Sequence, residues 1–339
     1  MKKLLTLAII LLVCSLFLLS ACGAGETVPA APPPPPADTP AADPPAAQPT
    51  PDAGATQAQE EPAPAPAGVP RIGFSIPQMD VPFFVSMWEG AEYARDHFGV
   101  YVHLVDARND TAQQVSDIEA LLALGIDVLV VCPVDSSAIV PKILDVMDMG
   151  IPVVAVNRRV TDVDVDVWTG TDNFLAAAEM TEHLISIMGE DRRVAILEGT
   201  PGASSGILRL DGFLSVAQNR MDIVASQTAN FNRVDGMTVA ENLLTANPDI
   251  EIFVAMNDEM ALGAIEAAIA FGRQPGVDIW ITGFDGSADA VAAVNEGTML
   301  FTVQQQSFEM GIAGVEIALG LLRGETFDAD IPVPAAIIE

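Results

Sequence analysis

An α/β fold with two similar lobes, each built on a parallel sheet, is predicted from three features of the sequence. Beyond residue 69, short apolar runs rich in Val, Ile and Leu alternate with amphipathic runs of helical length. The apolar runs are continuous, which is typical of strands that are covered on both faces. The same order of runs occurs twice, so the second half repeats the plan of the first.

The first half of the folded region contains predicted strands separated by predicted helices. Gly99, Gly125 and Gly150 follow the helical runs, where glycine commonly ends a helix. Strand-helix-strand units of this length place neighbouring strands parallel in one sheet. In chain order the segments are strand 71–76 (RIGFSI), helix 83–99, strand 100–107, helix 112–125, strand 127–133, helix 137–150 and strand 152–157.

The second half follows the same order. Its predicted strands are 193–199, 221–229, 251–256 and 278–285, and its predicted helices are 207–220, 233–247 and 259–273. Two stretches, IDVLVVCPVDSSAIV and IEIFVAMNDEMALGA, lead through a helix to similar apolar runs, GIPVVAVNRR and GVDIWITGFDG. This echo predicts two lobes of one supersecondary plan.

The N-terminus is predicted to be a signal peptide spanning 1–21. Lys2 and Lys3 precede the run LLTLAIILLVCSLFLL, which is short for a membrane span. The run ends in LSAC, which resembles the lipobox of bacterial lipoproteins and implies cleavage before a lipidated Cys22. The alternative is an ordinary secretory signal in which Cys22 has no role.

Residues 22–68 are predicted to be the lipidated Cys and a disordered tether rich in Pro and Ala. Fourteen of the 25 prolines lie between 23 and 68, and such a segment cannot bury enough apolar area to fold. A lipid anchor on a long tether predicts an extracytoplasmic body held at the cell membrane, either on the cell surface or in the periplasm.

Charge and cysteine content exclude several classes of protein. The formal net charge of −31 disfavours nucleic-acid binding, which needs a basic face. Only Cys132 remains after removal of Cys14 and modification of Cys22, so no internal disulfide is expected. No Cys/His spacing indicates a metal site, and no cofactor is predicted.

Polar residues follow the predicted strands at their carboxyl ends. Asn257 and Asp258 come directly after one apolar run, and Asp285 follows another. Ligands of open parallel sheets bind beyond this edge, so these residues are candidate contacts. The alternative is that they only cap helices and form turns, with Asp258 as the expected cap.

Several motifs resemble the periplasmic sugar-binding proteins of ABC importers, in the ribose-binding-protein-like group. They are PFFVSMWEGAE in the first lobe, and ASQTANFNRVDGMTVAENLLTANPDI, NDEMALGA and GFDGS in the second. The resemblance covers about residues 70–339. It implies the type I periplasmic binding protein fold, with two Rossmann-like lobes joined by a three-crossover hinge. It assigns 69–171 and 305–334 to the N-terminal lobe, and 172–304 and 335–339 to the C-terminal lobe.

The resemblance also implies a set of ligand contacts, carried over position by position. They are Phe83, Phe84, Cys132, Asn157, Arg158, Arg209, Phe231, Asn257, Phe284, Asp285 and Gln305. Aromatic rings suit the C–H faces of a sugar, while arginines, amides and an aspartate suit its hydroxyls. Val81, Cys132 and Asn157 stand where ribose binders carry Asn, Asn and Asp, which predicts a ligand that differs from ribose on one edge.

The implied function is capture of a monosaccharide in the interlobe cleft and delivery to the permease of an ABC importer, by a monomer. A ribose-like pentose, a hexose or a related polyol is expected. The alternative is a sensor of a sugar or a furanosyl signal that presents its closed form to a chemoreceptor or histidine kinase.

An enzyme is not expected, because no hydrolase or metalloprotease motif and no phosphate loop occurs, and GTPGASSG lacks the dinucleotide fingerprint. A regulator of the lactose-repressor type is disfavoured by the export signal and by the lack of a helix-turn-helix segment before Val69.

Overall fold

The computed structural model describes residues 68–339, which form two six-stranded sheets flanked by helices. The predicted signal peptide, Cys22 and the predicted tether up to residue 67 lie outside the described residues. None of the described helices combines the length and the apolar character needed to span a bilayer.

Helices and strands alternate along most of the described chain. The twelve strands are β1 (Arg71–Ile76), β2 (Tyr101–Asp106), β3 (Val128–Val131), β4 (Val153–Val156), β5 (Val167–Gly170), β6 (Arg193–Glu198), β7 (Asp222–Thr228), β8 (Ile252–Ala255), β9 (Trp280–Asp285), β10 (Phe301–Gln305), β11 (Asp330–Pro332) and β12 (Ala335–Ile338). The nine helices are α1 (Pro82–Phe98), α2 (Thr111–Ala123), α3 (Val140–Asp148), α4 (Asn173–Met188), α5 (Ser204–Ala217), α6 (Arg233–Ala246), α7 (Asp258–Ala270), α8 (Ala288–Asn295) and α9 (Ser307–Leu322).

The two sheets have the same strand arrangement. One has the order β11-β5-β4-β3-β1-β2 with every pair parallel, and the other has the order β12-β10-β9-β8-β6-β7. In the second sheet β12 pairs antiparallel with β10, and the remaining pairs are parallel. We call the sheet that contains β1, with its helices, the first lobe, and the other the second lobe.

Both faces of each sheet are covered, as the continuous apolar strands predict. In β3, Val128 and Val130 pack on the side of α1 and α9, while Leu129 and Val131 pack on the other face. This alternation follows from the two-residue period of a strand. The helices pack in pairs, α1 with α9, α4 with α5 and α6 with α7.

The chain passes between the lobes three times. It leaves the first lobe after β5, returns after β10 and crosses again between β11 and β12. The predicted α/β fold with two similar lobes is confirmed, while the exact residue bounds of the lobes stay a prediction.

The structure contains α4, α8, α9, β5, β10, β11 and β12 in addition to the predicted elements. The added strands are short, and three of them lie at the ends of the sheets or carry polar residues, so their sequence patterns are weak.

A buried carboxylate ties together three elements of the second lobe. Asp258 is 1% exposed at the start of α7. Its Oδ1 accepts a hydrogen bond from Thr302 Oγ1 of β10 at 2.6 Å, and its Oδ2 accepts one from the Ser287 N–H before α8 at 2.7 Å. Burial raises the pKa of Asp258, while these donors oppose the shift. The carboxylate therefore fixes the loops that follow β8 and β9 relative to one another and to β10.

We expect Asp258→Ala to lower the free energy of unfolding by about 2–3 kcal/mol, because the change leaves the buried Thr302 hydroxyl and the part-buried Ser287 N–H without their acceptor. Chemical denaturation measures the loss. Asp289→Ala is the control, since Asp289 is 69% exposed and pairs only with Arg233 on the surface, where an ion pair contributes about 0–1 kcal/mol. Equal losses for the two variants would contradict the role given to Asp258.

Candidate ligand-binding site

A cavity lies between the lobes, beyond the carboxyl ends of the parallel strands. It has an empty volume of about 250 Å³. Its lining residues are Val81, Phe83, Phe84, Asn157 and Arg158 from the first lobe, and Ser205, Arg209, Phe231, Asn257 and Asp285 from the second. This is the edge at which ligands bind in open parallel sheets.

Eight of the eleven predicted site residues line this cavity, and the other three lie behind it. Phe284 packs under the guanidinium of Arg209, with 3.8 Å between the guanidinium carbon and the ring centroid. Gln305 Nε2 donates to Asp285 Oδ1 at 2.7 Å. Cys132 is fully buried, with Sγ 3.9 Å from Asn157 Nδ2. Each of the three supports a lining residue, so their direct contact with a ligand stays a prediction.

Two lining residues were missing from the predicted set. Val81 is the residue before α1, and the sequence marks it only as a departure from ribose binders. Ser205 lies in the first turn of α5, after β6, within the GTPGASSG stretch. The sequence feature that points to Ser205 is a polar residue at the start of a helix that follows a strand end. The same feature selects Asn257.

Arg158 is held at the end of β4 by carbonyl groups and aromatic rings. It is 2% exposed, and its Nη1 donates to the carbonyl oxygens of Pro133 at 2.9 Å and Val134 at 3.2 Å. Its guanidinium carbon lies 5.5 Å from the ring centroids of both Phe84 and Phe231. Burial lowers the pKa of Arg158, while the nearby carboxylate of Asp285 opposes the shift.

Arg209 is the matching cation of the second lobe. Its Nε donates to Asn173 Oδ1 at 2.7 Å, and its Nη1 donates to the carbonyl oxygen of Met256. Burial lowers its pKa to about 10, and the carboxylate of Asp285 opposes this shift. At that pKa the guanidinium stays charged at neutral pH.

Asp285 is the acid of the cavity lining. Its Oδ1 lies 3.5 Å from Arg209 Nη1, yet its pKa is raised to about 7. Burial outweighs the attraction of Arg209, because removing a carboxylate from water disfavours the charged form. Since the folded pKa lies above that of an exposed carboxyl, the contribution of Asp285 to the free energy of unfolding falls as pH rises toward 7.

Asn257 both caps a helix and faces the cavity. Its Oδ1 accepts from the N–H of Met260 at 3.0 Å, and its Nδ2 donates to the carbonyl oxygen of Phe231 at 3.2 Å. The expectation that Asp258 caps α7 was wrong. Asn257 has the extended backbone of a cap residue, whereas Asp258 is already the first residue of the helix.

Three lining residues have backbone conformations that L residues rarely adopt. The φ angles are 59° at Asn157, 58° at Phe231 and 132° at Asp285. Each such residue costs about 1–3 kcal/mol, and residues of this kind cluster at functional sites. The surrounding packing therefore holds these side chains in the cavity against local preference.

Buried polar atoms around the cavity lack partners within the described part of the chain. They are Asn157 Oδ1, Arg158 Nε and Gln305 Oε1. An unpartnered buried polar atom costs about 1–3 kcal/mol, so native proteins rarely leave several together. One acceptor and one donor on lining residues indicate a ligand that both donates and accepts hydrogen bonds.

Hydrogen bonds between the lobes close the rim of the cavity. The Ser136 N–H donates to the carbonyl oxygen of Gly202 at 2.9 Å. The Ser204 N–H donates to Ser136 Oγ at 3.2 Å, and the Arg159 N–H donates to Ser204 Oγ at 2.8 Å. A side chain at Gly202 would collide with the carboxylate of Asp135. We call Asp135, Ser136, Arg159, Gly202 and Ser204 the rim cluster.

The site contains no recognisable reaction machinery or metal cluster. Among residues 68–339, no group of three His, Cys, Asp or Glu side chains is placed to hold a metal ion. Two α/β lobes that close over a cavity of cations, one acid and aromatic rings define a two-lobed solute-binding protein.

Comparison with known proteins agrees with this class. The family model described as periplasmic binding protein domain matches residues 72–326, and the chain belongs to this family. The ribose import binding protein RbsB of Bacillus subtilis (strain 168) is 38% identical over 263 residues, which cover 78% of this chain and 85% of the relative. RbsB of Escherichia coli (strain K12) is 34% identical over 268 residues, covering 79% and 90%.

A solved structure is similar in fold. It is an ABC transporter solute binding protein from Bacillus halodurans C-125 with bound myo-inositol, 29% identical with a TM-score of 0.76. The match covers 80% of this chain and 95% of that protein. The fold is therefore that of the type I periplasmic binding proteins.

Proposed function

We propose that this protein captures a monosaccharide or related polyol in the cavity between its lobes and delivers it to an ABC importer. The proposal rests on one observation: buried polar atoms without partners and aromatic rings converge on a single small cavity. The relatives named for ribose import, and the solved structure that holds myo-inositol, support a small hydroxylated solute.

The chemistry of the lining fits such a solute. Phe83, Phe84 and Phe231 offer apolar surfaces for the C–H faces of a sugar ring. Arg158 and Arg209 donate hydrogen bonds in fixed geometry, and ionised Asp285 accepts from hydroxyls. Bonds to charged groups in a dry cavity are about twice as strong as neutral ones, which gives selectivity for hydroxyl positions.

The protein acts by binding and release rather than by catalysis. Asp285 is the acid that lines the cavity, and its neighbours are cations and amides, so the general acid–base pair of a glycosidase is not assembled. The named relatives are import binding proteins. A monomer in which the closed lobes meet the permease is sufficient for this role.

We infer that Cys22 carries a lipid that holds the body at the outer side of the cell membrane, with residues 22–68 as the tether. The LSAC pattern and the proline-rich segment support this. In a host that processes lipoproteins, the wild type should fractionate with membranes and Cys22→Ser should not. A wild-type protein that stays soluble without lipid would remove the anchor from the proposal.

A panel of pentoses, hexoses, deoxysugars and polyols tests the ligand class. The correct ligand should raise the melting temperature by several degrees, because 100-fold excess over Kd stabilises the folded state by about 2.7 kcal/mol. Arg158→Ala and Asp285→Ala should abolish the rise while leaving the unliganded protein folded. Differential scanning fluorimetry measures both effects.

Matched controls for these variants are Arg323→Ala and Asp289→Ala, which remove an arginine and an aspartate on the surface, outside the cavity lining and the rim cluster. Both should retain the ligand-dependent rise. If no member of the panel raises the melting temperature of the wild type, the proposed ligand class is wrong.

Affinity should rise with pH between about 5.5 and 7.5 and then level off. Hydroxyl donors favour ionised Asp285, so binding lowers a pKa that starts at about 7 and releases a proton. Isothermal titration in buffers of different ionisation enthalpy measures the proton release. Asp285→Asn should bind more weakly and lose the pH dependence; an unchanged slope in this variant would assign the titration to another group.

A further inference from the structure

The wall of the cavity formed by the start of α1 offers no polar side chain. Val81, Phe83 and Phe84 line the cavity from this segment, and Pro82 lies between them. The carbonyl oxygen of Val81 already accepts from the N–H groups of Phe84 at 3.0 Å and Val85 at 3.2 Å. A hydroxyl that faces this wall therefore finds neither a side-chain partner nor the Val81 carbonyl.

The core behind this wall is apolar as well. Val81 is 6% exposed and belongs to one apolar cluster with Phe83, Phe84, Cys132 and the β1 residue Ile76. Burial raises the pKa of Cys132, so its thiol stays neutral at physiological pH. The wall is therefore backed by core, not by solvent or by a charged group.

The polar groups of the lining are concentrated on the remaining walls. Ser205, Arg209, Asn257 and Asp285 belong to the second lobe. Asn157 Oδ1 and Arg158 Nε, the unpartnered atoms of first-lobe lining residues, belong to residues that follow β4. The cavity is thus polar at the second lobe and at β4, and apolar at α1.

If the C–H faces of a sugar ring lie on Phe83 and Phe84, one edge of the ring is turned toward Val81, and a hydroxyl on that edge would be buried against an apolar side chain. Leaving such a group unpaired lowers affinity by about 5- to 150-fold, whereas a methyl or methylene group there gains from burial. Both effects favour a ligand that lacks a hydroxyl on the edge that faces Val81.

We propose that the ligand is a deoxy sugar, or a polyol lacking one hydroxyl, and that its unhydroxylated edge packs against Val81. This inference rests on the proposed function and narrows it to a chemical class. Val81 is then the residue that selects against the fully hydroxylated analogue.

Matched sugar pairs test the proposal with the full-length protein. The pairs are D-ribose with 5-deoxy-D-ribose, D-ribose with 2-deoxy-D-ribose, L-galactose with L-fucose, and L-mannose with L-rhamnose. Isothermal titration should find a deoxy sugar that binds about tenfold or more tightly than its hydroxylated partner.

Variants at Val81 assign the preference to this residue. Val81→Thr replaces one methyl group with a hydroxyl, and Val81→Asn adds an amide. Both residues are favourable at the position before a helix, so both variants should fold. Each should reduce the ratio of the two affinities by about fivefold or more. Val85→Thr makes the same change one turn further along α1, outside the lining, and should leave the ratio unchanged.

The outcomes separate this inference from the proposed function. Binding of hydroxylated sugars at least as tightly as their deoxy partners in every pair would overturn the inference and leave the function standing. An equal effect of Val81→Thr on both members of a pair would also overturn it. If neither these sugars nor the wider panel bind, the proposed function fails and the inference fails with it.

Discussion

The burial of two guanidinium groups beside one carboxylate is the constraint on which the rest of the site depends. Arg158 and Arg209 are 2% and 3% exposed, and Asp285 lies 3.5 Å from Arg209. Charges removed from water are stable only when surrounding groups replace their hydration. Backbone carbonyls, aromatic rings and the amide of Asn173 do this for the arginines, and the carbonyls come from the segments that follow β3 and β8.

The two sheets bring these partners together because they have the same strand arrangement. Because both sheets end toward the same cleft, residues far apart in sequence meet there without long loops. Positive φ angles at Asn157, Phe231 and Asp285 then turn side chains into the cavity. Asp258 stabilises that arrangement by holding the loops after β8 and β9 against β10.

The sequence predicts the cavity better than it predicts the layer behind it. A polar residue that follows a strand end is a candidate ligand contact, and this rule finds Asn257, whose amide caps α7 and lines the cavity. The rule does not separate Asn257 from its neighbour Asp258, which is buried and does not line the cavity. Phe284 and Gln305 follow the same pattern as lining residues, yet they lie one layer back because alternate strand residues point to opposite faces. Ser205 also follows a strand end, but its neighbour Ser204 does so equally, and the sequence does not show that Ser204 pairs with Arg159 at the rim while Ser205 lines the cavity.

The rim cluster has a kinetic consequence. Its hydrogen bonds join backbone groups and serine hydroxyls of opposite lobes, and they do not involve the residues that line the cavity walls beside β4 and β9. A captured molecule leaves only after these bonds break. Its dissociation therefore includes an opening step that does not depend on the contacts made by the molecule itself. Chemically different guests should then share this opening step in their release.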